Sequence, residues 1–147
     1  MKKILVIWMA VLVLTGCASS GRLASLPKVE PGTPSAKLVL YRISSLIGVT
    51  NSYYVILDGK EIFSLRSGEY TGFMIGSGDH VLGVKCFGGV SPTWKEQYVM
   101  HTFSPGGEYF FEIGPDLNCA RIKAVSSDEG KTSTSNSKFI DPEKVSD

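Results

Sequence analysis

Three cysteines, two histidines and scattered carboxylates are the residues of this 147-residue chain whose types could do chemistry. A zinc site needs three or four converging ligands, and Cys86, Cys119, His80, His101 and Glu112 show neither Cys-x-x-Cys nor His-x-x-x-His spacing. His80 follows a turn and is expected to bond nearby backbone, and His101 is expected on a solvated strand face. Gly-x-Ser-x-Gly, Ser-x-x-Lys with its partner motifs and His-Glu-x-x-His are all missing from the sequence, so no hydrolase signature stands out. Glu108 and Glu112 share one face of a short strand, roughly 13 Å apart, which is too far for an acid/base pair. The expectation is therefore a non-enzymatic protein with no catalytic residue, no metal and no cofactor.

The third cysteine belongs to a different pattern. Lys2 and Lys3 precede an unbroken apolar run from Ile4 to Leu14, and Leu14-Thr15-Gly16-Cys17 closes it, which is the order of a secretory signal. Eleven helical residues rise only about 16 Å, roughly half the hydrocarbon core, so a stable membrane-spanning helix is the weaker reading. Leu14-Thr15-Gly16-Cys17 resembles the bacterial lipobox, an aliphatic residue and two small residues before a Cys. The resemblance implies removal of the 1–16 signal peptide and lipidation of Cys17, with palmitate-like chains anchoring the protein in a membrane. Ala18 and Ser19 lack the Asp that would imply inner-membrane retention. The resemblance thus implies the periplasmic face of the outer membrane in a bacterial cell envelope. Two or three acyl chains, at about 0.8 kcal/mol per buried methylene, hold a protein essentially permanently.

Loss of Lys2 and Lys3 leaves 13 basic against 14 acidic residues in a chain of 131, a net charge of −1. Without a basic stripe, nucleic acid is not an expected partner. With Cys17 lipidated, Cys86 and Cys119 remain in an oxidising compartment, and a disulfide between them is expected. It would close a loop of about 33 residues and contribute roughly 3.5 to 4 kcal/mol. Strict alternation speaks against it, because Cys86 shares the apolar face of Leu82 and Val84 while Cys119 has the polar parity of Arg121. A strand entry or bulge at Asn118 would resolve the conflict; two separate thiols are the alternative.

The elements that must position these residues are strands. Residues 17–35 read as the lipidated Cys and a Ser-, Pro- and Gly-rich tether lifting the domain off the membrane, and residues 126–147 as a polar, flexible tail. Between them, residues 36–125 alternate short β-branched and aromatic runs with Gly, Pro and Asp. Strands are expected at Lys37–Ile43, Tyr53–Leu57, Glu61–Leu65, Tyr70–Ile75, His80–Phe87, Lys95–Phe103, Tyr109–Ile113 and Ala120–Val125. Asp58-Gly59 predicts a type I′ hairpin turn. The two strands that are apolar on both faces, Lys37–Ile43 and Tyr53–Leu57, are expected to be central or covered. Seven or eight strands of this kind predict an all-β fold, an antiparallel β-sandwich, with an incompletely closed barrel as the alternative.

Several short runs carry a second resemblance. Lys37-Leu38-Val39-Leu40-Tyr41-Arg42, Val55-Ile56-Leu57-Asp58-Gly59-Lys60, Gly68-Glu69-Tyr70, Gly78-Asp79-His80-Val81-Leu82 and Gly106-Gly107-Glu108-Tyr109-Phe110-Phe111 are similar to the bacterial lipoproteins of domain of unknown function 2846. That resemblance implies a transthyretin-like or immunoglobulin-like sandwich and brings no activity with it. Most of the aromatic residues must fill the core. Tyr53, Phe87, Trp94 and Phe110, read as opposite the core-facing set, are candidates for an exposed patch that binds an envelope protein or glycan. The loop from Phe87 to Trp94 is the first place to look. A lipid-anchored interaction or structural module is the leading expectation. A carrier for a small molecule or envelope polymer is the alternative, and a type VI secretion anchoring lipoprotein is a third by fold analogy.

Overall fold

The computed structural model describes residues 20–90 and 92–146. The expected signal peptide, residues 1–16, and the expected lipidation site Cys17 lie outside the described residues. Among the described residues the strands are β1 (Gly21–Arg22), β2 (Ser35–Arg42), β3 (Tyr53–Leu57), β4 (Lys60–Leu65), β5 (Glu69–Gly76), β6 (Gly78–Gly88), β7 (Thr93–Phe103), β8 (Glu108–Asp116), β9 (Cys119–Val125) and β10 (Lys138–Phe139). These ten form two stacked five-stranded sheets, in the orders β1-β4-β3-β6-β7 and β10-β5-β2-β8-β9. One helix, α1 (Ser127–Ser135), follows β9. The sandwich expected from the sequence is present, and its eight main strands match the expected runs. The second sheet is mixed, because β2 runs antiparallel to β5 and parallel to β8.

The two doubly apolar strands are central, as expected: β3 in one sheet and β2 in the other. The inner faces of both sheets meet in one core that includes Leu38, Leu40, Val55, Leu57, Leu82, Val84, Phe111 and Ile113. The β3–β4 turn takes positive φ at Asp58 (49°) and Gly59 (81°), as a type I′ turn requires. Asp58 also accepts from the Val81 backbone N–H at 2.9 Å and pairs with His80 Nδ1 at 2.7 Å. His80 meets the Gly76 carbonyl through its other nitrogen.

Two boundaries differ from the sequence expectation. The 18–35 stretch is not a tether throughout: Gly21 and Arg22 pair with Ser64 and Phe63 of β4, and Ser20 Oγ bonds Glu69 Oε1. Backbone pairing carries this attachment, so no apolar periodicity announces it. The polar 126–147 segment also holds defined structure. Ser126 caps α1 by accepting from the Glu129 N–H, and Asp128 and Glu129 in the first turn complement the helix dipole. The helix lies on the outer face of the second sheet, where Val39, Tyr41 and Phe110 form a small separate cluster. Gly130 makes this possible, because a Cβ there would lie 2.2 Å from the Phe110 ring. After α1, β10 joins β5, Ile140 enters the core, and Val145 bridges to Arg22. Residues 144–146 thus close the side of the sandwich against β1.

Candidate functional site

The long hairpin β6–β7 pairs without interruption from Gly78↔Phe103 to Gly88↔Thr93. That register stacks cross-strand partners on the outer face of the first sheet: Phe87 opposite Trp94, Lys85 opposite Glu96, Gly83 opposite Tyr98 and Val81 opposite Met100. Strand β3 adds Tyr54 and Ile56 beside them. Trp94 meets Phe87 edge-on at 5.5 Å and Tyr54 edge-on at 5.7 Å. Lys85 Nζ lies 5.0 Å above the indole and bonds Glu61 Oε1 at 2.5 Å. The Glu61 hydrogen bond raises the Lys85 pKa, keeping the ammonium charged. Further along, the Tyr98 ring lies over Gly83, where a Cβ would come within 2.6 Å of it. The Tyr98 hydroxyl donates to Glu96 Oε2 at 2.5 Å, and that contact raises its pKa. The result is a strip of rings with the Lys85–Glu96 step set between Phe87–Trp94 and Tyr98.

The four residues nominated by sequence divide evenly. Phe87 and Trp94 are 47% and 55% exposed and touch one another, whereas Tyr53 and Phe110 are 2% and 4% exposed. Tyr53 faces inward with Val55 and Leu57, leaving Tyr54 and Ile56 on the outer face. In a strand apolar at every position, alternation does not reveal which set points in. Phe110 does point away from the core, but α1 covers it through Gly130. Tyr98 and Met100 extend the exposed strip and half-buried Tyr54 packs beside Trp94; none of the three stands out in the sequence. The signal that could have found Tyr98 is the hairpin register counted back from the Phe87–Trp94 pair.

At one end of the strip, four connections gather: residues 43–52, 66–68, the β6–β7 turn around Val90, and Leu117-Asn118 between β8 and β9. A buried arginine organises this end. Arg42 donates to the carbonyls of Asn51 (2.5 Å), Leu65 (3.1 Å) and Gly48 (2.6 Å), and its guanidinium stacks 3.6 Å from the Tyr53 ring. Burial lowers the Arg42 pKa, with Tyr53 and Glu69 opposing that effect. Asn51 Nδ2 donates to the Phe87 carbonyl, and the Tyr53 hydroxyl donates to the Cys119 carbonyl. The Cys86–Cys119 disulfide ties the two sheets together just beneath. Cys119 takes φ of 120°, which turns its side chain inward against strand parity and resolves the conflict seen in the sequence.

His101 departs from expectation. It projects inward from β7 among Phe103, Tyr109 and Phe111, with ring centroids at 4.9 to 5.2 Å, and its Nε2 has no hydrogen-bond partner. Both faces of the strand mix polar and apolar residues, so its parity gave no warning. Among the described residues no three His, Cys, Asp or Glu side chains group as metal ligands. A surface depression of about 400 Å³ is bounded by Leu26, Pro31, Phe73 and Met74, away from the aromatic strip. No family model, curated protein or solved structure matches the chain.

Proposed function

We propose that this chain is a lipid-anchored envelope protein whose bare aromatic face docks a protein partner, a non-enzymatic interaction module held to the periplasmic face of the outer membrane through Cys17. The observation that carries the docking reading is the strip Phe87, Trp94 and Tyr98, exposed on one side of a sandwich whose other side carries its own helix, with half-buried Tyr54 beside Trp94. Exposed aromatic rings are what protein interfaces favour at their centres, and the charges set among these rings, Lys85 and Glu96, are each already partnered. A carrier would instead enclose most of its ligand in a concave apolar cavity. The depression beside Leu26 is bounded mainly by loop residues, including Glu30, Pro31, Gly32 and Thr33, and is not such a cavity. Anchoring rests on Lys2, Lys3, the Ile4–Leu14 run and the similarity of Leu14-Thr15-Gly16-Cys17 to a lipobox.

A photo-crosslinking residue placed at Tyr98 in intact cells tests the docking face, with Lys131 on α1 as the control position. The expected outcome is a discrete adduct from position 98 that Trp94→Ala abolishes and position 131 never gives. Equal adducts from both positions would sink the reading. A Cys17→Ala form run in parallel reports whether membrane placement selects the partner.

A further inference from the structure

The end of the sandwich organised by Arg42 carries apolar side chains at its tips. Leu46 is 92% exposed, Val90 87% and Leu117 81%, with Ile47 and Val49 beside Leu46. They come from three separate connections, and residues 43–52, 88–93 and 117–118 contain no charged residue, while Arg66 of the neighbouring 66–68 turn and Asp116 at the end of β8 are the exposed charges beside them. The opposite end is built differently: Asp58-Gly59, Lys60, Ser77, Asp79 and Ser104 to Gly107 make it polar. Apolar tips on uncharged loops are costly to leave in water and suit a boundary with hydrocarbon. They are not loose, because Arg42 holds the Gly48 and Asn51 carbonyls while Asn51 holds the Phe87 carbonyl.

The placement of the chain's entry decides what meets this end. Strand β1 runs antiparallel to β4, and Gly21 pairs with Ser64 beside the 66–68 turn. The polypeptide therefore enters the fold at the apolar end, with Ser20 bonded to Glu69 there. Only Ala18 and Ser19 separate Ser20 from Cys17, and three residue steps of extended chain span roughly 10 Å. Resting on the proposed lipidation of Cys17, we propose that this end is a membrane-docking surface, with Leu46, Ile47, Val49, Val90 and Leu117 seated in the lipid interface. The anchor then sets an orientation as well as a location. A lipidated Cys17 holds the apolar tips against the bilayer instead of letting the domain float above it. The Phe87–Trp94 pair lies one strand step back from the Gly88↔Thr93 end of the hairpin, so the aromatic strip begins beside the membrane and rises away from it. A partner for that strip would meet it from the side, within reach of the same membrane.

The test uses the mature lipidated protein, reconstituted in phosphatidylethanolamine and phosphatidylglycerol vesicles with or without brominated acyl chains. A single tryptophan is placed at Leu46→Trp, Leu117→Trp or Lys60→Trp in a Trp94→Phe background, Trp8 leaving with the signal segment. Seating of the tips about 5–10 Å into the interface should cost the residues at 46 and 117 about half of their emission in brominated vesicles, with no change at 60. Mass spectrometry of the N-terminal peptide reads acylation independently. An acylated Cys17 with equal emission from all three positions would overturn the docking and leave the anchor standing. An unmodified Cys17 would overturn the anchor and this inference with it.

Discussion

The outer faces of the two sheets begin alike and finish differently. On the second sheet Val39, Tyr41 and Phe110 point outward, and α1 lies over them. On the first, Phe87, Trp94 and Tyr98 point outward and remain 47 to 55% exposed. A chain of this size can cover such a face when it needs to, since nine residues of helix with a glycine at the contact are enough. The bare face is thus the one where cover from outside the chain has room to act, and its rings are already held by Lys85, Glu61 and Glu96.

The widest predicted gap lies between equivalent residues of the two faces. Phe110→Ala should cost about 3 kcal/mol, because it empties a packed site under α1, while Trp94→Ala, losing a half-exposed ring, should cost under about 1 kcal/mol. Urea denaturation of the two variants measures both, and equal costs would erase the distinction between covered and bare faces. Gly130→Ala should come next. Alanine favours a helix interior by about 1 kcal/mol over glycine, yet a Cβ meeting the Phe110 ring should reverse that sign and destabilise by about 1–3 kcal/mol. A more stable variant in the same assay would mean that α1 does not rest on Phe110.

The smallest effect is one of pH. Burial above all, and then the Glu112 carboxylate, push the Tyr41 phenol up from 10.0 to about 12, against an opposing Ser133 hydrogen bond. A raised folded-state pKa stabilises fully below the unfolded value and is lost as pH climbs through the folded one. The covered face should therefore weaken between about pH 10 and 12, and Tyr41→Phe should remove that part of the slope in thermal melts recorded across this range.

Sequence patterning reached the main strands, the Asp58-Gly59 turn and the Cys86–Cys119 pair because each leaves a local trace: alternation, a two-residue reversal, a thiol count. It missed α1, whose SDEGKTSTS sequence has no apolar stripe and docks through an absent side chain at Gly130. It missed β1, which is two residues held by backbone bonds. The exposed strip was half legible. Phe87 and Trp94 could be nominated from a loop flanked by aromatics, whereas Tyr53 and His101 sit on strands whose two faces read alike. Arg42 gave no signal, since a buried guanidinium answering three carbonyls is a property of loops that meet only in the folded chain.

The meeting of Arg22 with the chain's last residues bears on the order of events during folding. Arg22 donates its N–H to Lys144, accepts from Ser146 and pairs its side chain with Glu143. A polypeptide emerging from a ribosome presents Arg22 long before these partners. Until residues 143–146 have followed, the β1 edge lacks its outer neighbours, and this side of the sandwich closes late.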